Sequence, residues 1–337
     1  MPYGRIKTPR IYVDWINWLL VNGKMYTSDI TKVGGNDFAT GSNLHELFDL
    51  DPANIQTIDS NGTSGVTEII LDTNIANNSH QGSNYIAFLG HNFAQAGAKI
   101  SISADDQAGD GYTGVALTAI ANASSANGSN NFFQAQYNGW SIVSLGAYGD
   151  GGENEKIRIY IDDISNATYN ADVKIGSIMI GKYYDFPFNP DLKFNRKDDF
   201  NNTIMRAQGG KTYSNFKTSP KSNWFLDKWA ISTDTAPQNI YSSSKKIMTL
   251  SFSYMTDDSV YPANNHIDNI SASTDFYSAV INKTYGSHLP VIIHFDKDET
   301  FTTGANPSNI MLARLHNINI NQTAVNHYSV SLTLEEQ

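Results

Sequence analysis

Ile157, Ile159 and Ile161 alternate with Arg158 and Tyr160. The same two-residue period returns at Ile100 and Ile102, and at Met248, Leu250, Phe252 and Tyr254. Alternation of this kind puts one set of side chains into a core and the other into water, which specifies half-buried strands rather than helices. The residues between such runs are rich in Asn, Ser, Thr and Gly, which favour turns, while Leu, Glu, Lys and Arg are scarce. The chain is therefore read as mainly β with polar loops.

Several function classes drop out on composition. The 337 residues carry 33 acidic and 23 basic side chains, a net charge of -10. That balance opposes binding to a nucleic-acid backbone, which requires a basic face. With no cysteine there is no disulfide framework, thiolate nucleophile or Cys-ligated metal. No apolar run approaches the ~20 residues of a membrane span. Near the N-terminus, Trp15–Val21 follows the basic Gly4-Arg5-Ile6-Lys7, but Asn22-Gly23-Lys24 is unlike a cleavage site, so the segment reads as mature structure made without secretion.

The pattern divides the chain in three. Residues 1–62 lack a core pattern of their own and read as an N-terminal arm that pairs with another domain or a neighbouring subunit. A strand is expected at Arg10–Asp14 and a short helical turn at Leu44–Leu50. Residues 63–186 hold six to eight short strands, including Val66–Leu71, Tyr85–Asn92, Lys99–Ser103, Trp140–Leu145 and the Ile157 run, which predicts a β-sandwich. The stretch Asn122–Asn131 reads as a surface loop. Phe186-Pro187-Phe188-Asn189-Pro190 marks a boundary, because prolines so close resist helix and central strand alike. Residues 187–337 read as antiparallel strands with one amphipathic helix near 275–285, capped by Thr274 or Ser273, and a terminal hairpin from Met311–Ile320 and Tyr328–Leu334.

Candidate sites are few. His91 with Asn92 ends an apolar strand and reads either as a sugar-hydroxyl binder or as a tether for the following loop, the commoner use of such a pair. Asp105, Asp106 and Asp110 offer oxygen ligands without the spacing of a calcium loop, and solvated turn acids fit them better. Asp296-Lys297-Asp298-Glu299 reads as an exposed hairpin end. Trp15, Trp18, Trp224 and Trp229 serve either sugar stacking or cores and subunit contacts. The eight histidines show no metal-ligand spacing, and no phosphate loop, nucleophile elbow or dinucleotide fingerprint is present. The chain is read as non-enzymatic, with no cofactor and no metal.

Three stretches resemble a known group. Ser83-Asn84-Tyr85-Ile86-Ala87-Phe88-Leu89-Gly90-His91-Asn92-Phe93 with Ala96-Gly97-Ala98, then Lys174–Tyr184, and the opening from Gly4 to Gly23 are similar to tail proteins of tailed bacteriophages that carry a galactose-binding-like (jelly-roll) β-sandwich. The resemblance covers roughly residues 1–190. In outline the second half is similar to the tail-tube-like fold of distal tail and baseplate-hub proteins. The resemblance implies a virion tail component, of distal-tail or minor-tail type, assembled in the host cytoplasm as a ring, a homohexamer in that family. Its implied partners are tail-tube, hub or fibre proteins. The alternative it implies is a carbohydrate-binding host-adhesion protein, with ligand loops after His91 and around Asp105–Asp110.

Overall fold

Residues 10–14 alternate Ile11 and Val13 with Tyr12, so they can serve as a strand with both faces covered, and they do so at the centre of the molecule. The computed structural model describes residues 6–72, 85–105, 112–125, 132–146, 156–163, 168–192, 194–199, 202–206, 212–216, 245–262, 275–299 and 310–337. The first segment supplies strands β1 (Arg10–Asp14), β2 (Ile30–Val33) and β3 (Gln56–Ile58). Then follow β4 (Thr67–Asp72), β5 (Tyr85–His91), β6 (Ala98–Asp105), β7 (Tyr112–Gly114), β8 (Leu117–Ala121), β9 (Ser124–Ser125) and β10 (Phe132–Gln134). β11 (Gly139–Leu145), β12 (Lys156–Asp163), β13 (Val173–Ile175) and β14 (Ser177–Asp185) complete this half. The second half contains β15 (Asn195–Asp199), β16 (Asn202–Arg206), β17 (Thr212–Phe216), β18 (Lys245–Thr256), β19 (Val291–His294), β20 (Ile310–Ala324) and β21 (His327–Glu336).

A ten-stranded sheet runs β15-β18-β21-β20-β19-β1-β14-β5-β11-β8, and a seven-stranded sheet has the order β2-β4-β12-β6-β10-β9 with β7 beside β6. All the pairings within these two sheets are antiparallel. The β14-β5-β11-β8 part of the long sheet faces the seven-stranded sheet, forming the expected β-sandwich. Its core joins Ile86, Phe88, Val143, Ile178 and Ile180 to Ile69, Ile100, Ile102, Ile157, Ile159 and Ile161. A second core, around Leu250, Phe252, Phe276, Val280 and Leu332, fills the other half. The mainly β reading with few helices is what the structure shows.

The stretch read as an arm is built into the chain's own fold. β1 pairs with β14 on one side and β19 on the other, with Ile11 opposite both Tyr184 and Ile293. It thereby welds the two halves into one sheet. At the weld, Asp14 accepts the N–H of Asn17 at 2.9 Å and of Ile180 at 3.3 Å, and burial pushes its carboxyl up to about 6. A Cβ at Gly181 would stand 2.0 Å from the Val13 carbonyl oxygen, so this close crossing of strands requires glycine. Arg10 clamps Asp185 through two N–H groups and stacks over Tyr183, 3.6 Å from the ring centroid.

Beyond β1 the first segment joins the sandwich core through Trp15, Trp18, Leu19, Met25, Leu47 and Phe48. The two tryptophans are thus core residues, at 2% and 1% exposure, and offer no sugar platform. Trp18, on the short helix α1 (Ile16–Val21), carries the buried Lys283 ammonium 3.3 Å from its ring centroid, a cation–π contact between the halves. Lys283 belongs to the expected helical segment, whose centre is a π-helical turn at Tyr277–Ile281. Asp275 caps it, accepting the Ser278 N–H at 2.7 Å; Ser273 and Thr274 lie outside the described residues, as do Trp224 and Trp229. Asp296 is no exposed hairpin end: it is nearly buried and holds the Lys7 ammonium at 2.7 Å.

Candidate binding face

His91 ends β5 at zero exposure. Its Nε2 lies 2.8 Å from Ser141 Oγ, its Nδ1 accepts the Phe93 N–H at 3.3 Å, and its ring stacks on Phe93 at 4.2 Å. Nδ1 being an acceptor places the proton on Nε2, which donates to Ser141. Ser141 Oγ in turn donates to the Asn122 carbonyl at 2.8 Å. Burial drives the imidazole down to about 3, so it stays neutral at physiological pH.

Asn92 is equally committed. Its amide donates to the Asp172 carbonyl at 2.8 Å and accepts the Lys174 N–H at 2.7 Å, tying the short helix α2 (Phe93–Ala96) to β13. Of the two uses open to His91 and Asn92, these contacts are those of a tether, with the polar atoms of both side chains bonded inside the protein. Asp105 ends β6, opposite Tyr112 of β7, and Asp106 and Asp110 lie outside the described residues.

Asn122 is the polar residue that sequence reasoning missed at this end. It was read as the start of a surface loop, yet it is fully buried with φ +46. Its amide donates to the carbonyls of Tyr137 (2.8 Å) and Trp140 (2.6 Å) and accepts the N–H groups of Gln136 and Tyr137, both at 3.1 Å. Asn tolerates the left-handed region and carries both donor and acceptor, which is why it fits.

The outer face of the seven-stranded sheet is organised differently. Inward-pointing isoleucines leave Glu68 on β4, Arg158 and Tyr160 on β12, Ser101 on β6 and Phe132 on β10 facing out. The register sets Val33, Glu68, Tyr160, Ser101 and Phe132 in one row across five strands. Adjacent rows hold Ile70 beside Arg158, and Asp162 beside Lys99 and Gln134. Six charged side chains on this face form three pairs: Arg158–Glu68 at 3.1 Å, Lys99–Asp162 at 2.9 Å and Lys156–Asp72 at 3.4 Å. The Arg158 guanidinium also lies 5.8 Å from the Tyr160 ring and donates to its hydroxyl at 3.3 Å, and the Lys99 ammonium lies 5.8 Å from the Phe132 ring. The result is a surface with two half-buried aromatic residues on either side of a serine, and no unbalanced charge among those pairs. Alternation in the sequence gives Arg158 and Tyr160 as outward residues, but only the register brings Phe132 alongside.

Among the described residues no group of three or more His, Asp or Glu side chains is arranged to hold a metal ion, and no helix is long and apolar enough to cross a membrane. No protein-family model matches the chain, and no curated protein sequence matches it. Three solved structures are similar over 45% of this chain. One is the module CBM32-1 from a family 31 glycoside hydrolase of Clostridium perfringens, at 10% identity, 93% of its length and a TM-score of 0.31. Another is chitosan-binding module 1 from a chitosanase/glucanase of Paenibacillus sp. IK-5, at 12% identity, 94% of its length and a TM-score of 0.30. The third is a pectin-binding carbohydrate-binding module, at 13% identity, 87% of its length and a TM-score of 0.29. Likenesses this distant transfer no residue role to the present chain.

Proposed function

We propose that this protein recognises carbohydrate through its β-sandwich and acts by binding rather than by catalysis. The observation that supports this reading most is the outer sheet face, where Tyr160 and Phe132 flank Ser101 among charges already paired with one another. Aromatic faces take up the apolar face of a sugar ring, and the polar groups around them receive its hydroxyls. Two of the structures above are named for binding chitosan and pectin; the rings of this chain, not that likeness, support the reading. The second half, welded on through β1, would hold the sandwich at a fixed angle. Titration calorimetry against a panel of oligosaccharides tests it: saturable binding is expected, and no heat from any glycan at millimolar concentration contradicts it.

A second reading, a structural component of a phage tail that assembles in a ring, draws on the sequence resemblance and on one feature of the second half. The outer part of the β20–β21 hairpin is exposed, with Val325 at its tip 83% accessible, as a subunit contact would be. Light scattering with negative-stain microscopy tests this reading. Closed rings support it and a strict monomer at high concentration counts against it.

A further inference from the structure

Resting on the carbohydrate reading, we propose that the ligand is an uncharged, extended glycan that lies across the strands of the outer face, from Tyr160 over Ser101 to Phe132. Tyr160 and Phe132 stand on β12 and β10, with β6 between them, and both are in register with Ser101. Two strand spacings set the backbone positions that carry the rings about 9.5 Å apart. A single sugar covers one ring; only a chain of sugars reaches both. Ser101, the smallest side chain of this row, leaves the middle of the path low, so a flat ligand bridges the rings without lifting from either. Gln134, next to Lys99 in the adjacent row, supplies an amide that both donates to and accepts from hydroxyls.

The charges select against acidic glycans. Arg158, Lys99 and Lys156 are each matched to a carboxylate at 2.9 to 3.4 Å, so an anion approaching a cation here also meets Glu68, Asp162 or Asp72. At longer range the net charge of -10 repels a polyanion. A hydroxyl-rich neutral chain meets neither obstacle. Its binding is accordingly insensitive to ionic strength, unlike association driven by opposite charge.

The test is calorimetric titration of the full chain with neutral glucan and mannan oligosaccharides, from monosaccharide to hexasaccharide, beside a uronic-acid series of equal lengths. Affinity is expected to rise by at least about tenfold once the chain spans both rings, and Tyr160→Ala or Phe132→Ala to weaken it by about tenfold each. Tyr160→Phe keeps most of the affinity, and Ser101→Trp obstructs long ligands while sparing the monosaccharide. Circular dichroism and melting curves confirm that each variant is folded. Oligosaccharide binding unchanged in both ring variants overturns this site while leaving the carbohydrate reading standing. Tighter binding of the uronic-acid series overturns the neutral ligand. Failure of every glycan to bind the unaltered chain removes the carbohydrate reading itself.

Discussion

His91 and Tyr160 belong to facing sheets of one sandwich, yet their surroundings use polar chemistry in opposite ways. Around His91, the imidazole, the Ser141 hydroxyl and the amides of Asn92 and Asn122 find partners inside the protein, at little or no exposure. Around Tyr160, the charged groups are paired but only half buried, and two rings remain within reach of solvent. The first arrangement fixes the backbone at the end of β5 and stabilises the fold. The second contributes little to stability, because part-exposed ion pairs are worth under about 1 kcal/mol each, and so is available for recognition.

The sharpest way to break this contrast is to remove the amide of Asn122. Asn122→Ala strands four backbone groups and puts alanine at positive φ, so a loss of at least about 3 kcal/mol is expected in urea denaturation. His91→Ala removes the Ser141 partner and leaves a cavity against Phe93, for a loss of about 3 kcal/mol.

Acidification separates the two regions next. His91 falls to about 3 and His294 to about 4, both chiefly through burial. Below the unfolded value near 6.5 the unfolded chain binds these two protons and the native chain does not, so stability falls as pH drops. Asp14, raised to about 6, works the other way: its native carboxyl takes up a proton before the unfolded one and returns part of the loss. Two histidines outweigh one carboxylate, and the net change from pH 7 to pH 5 is a loss of about 2 kcal/mol. Denaturation at the two pH values checks this, and the loss should shrink by more than half in His91→Gln if that variant folds.

The smallest effects belong to the outer face. Asp162→Asn and Tyr160→Ala should each change stability by less than about 1 kcal/mol. If Tyr160→Ala destabilises as much as Asn122→Ala, the face is structural and the contrast fails.

Much of the fold was legible because strands write their burial into alternate residues. The Ile157, Ile159 and Ile161 series emerges buried on β12, and Met248, Leu250 and Phe252 emerge buried on β18, with Tyr254 turned out to 74% exposure where the pairing with β21 slips between Phe252 and Met255. Phe276 and Val280 were legible too, as the apolar stripe of the helical segment. The role of β1 was not. A strand between two others pairs through its backbone, and side chains alone do not say which partners it takes. The candidate site was hidden for the same reason: Tyr160 and Phe132 are 28 residues apart and meet only through the register of β12, β6 and β10. Asn122 escaped notice because a single Asn in a polar stretch looks the same whether it is solvated or buried at positive φ.

The central claim is that the aromatic row of the outer face contacts a neutral glycan while the knot around His91 does not. Selective labelling of tyrosine and phenylalanine rings, followed by NMR during titration with a neutral hexasaccharide, tests it directly. Shifts at Tyr160 and Phe132, assigned through their alanine variants, with Phe93 beside His91 unmoved, are the predicted result. Shifts confined to Phe93 and the residues around His91, with both outer rings silent, would contradict it.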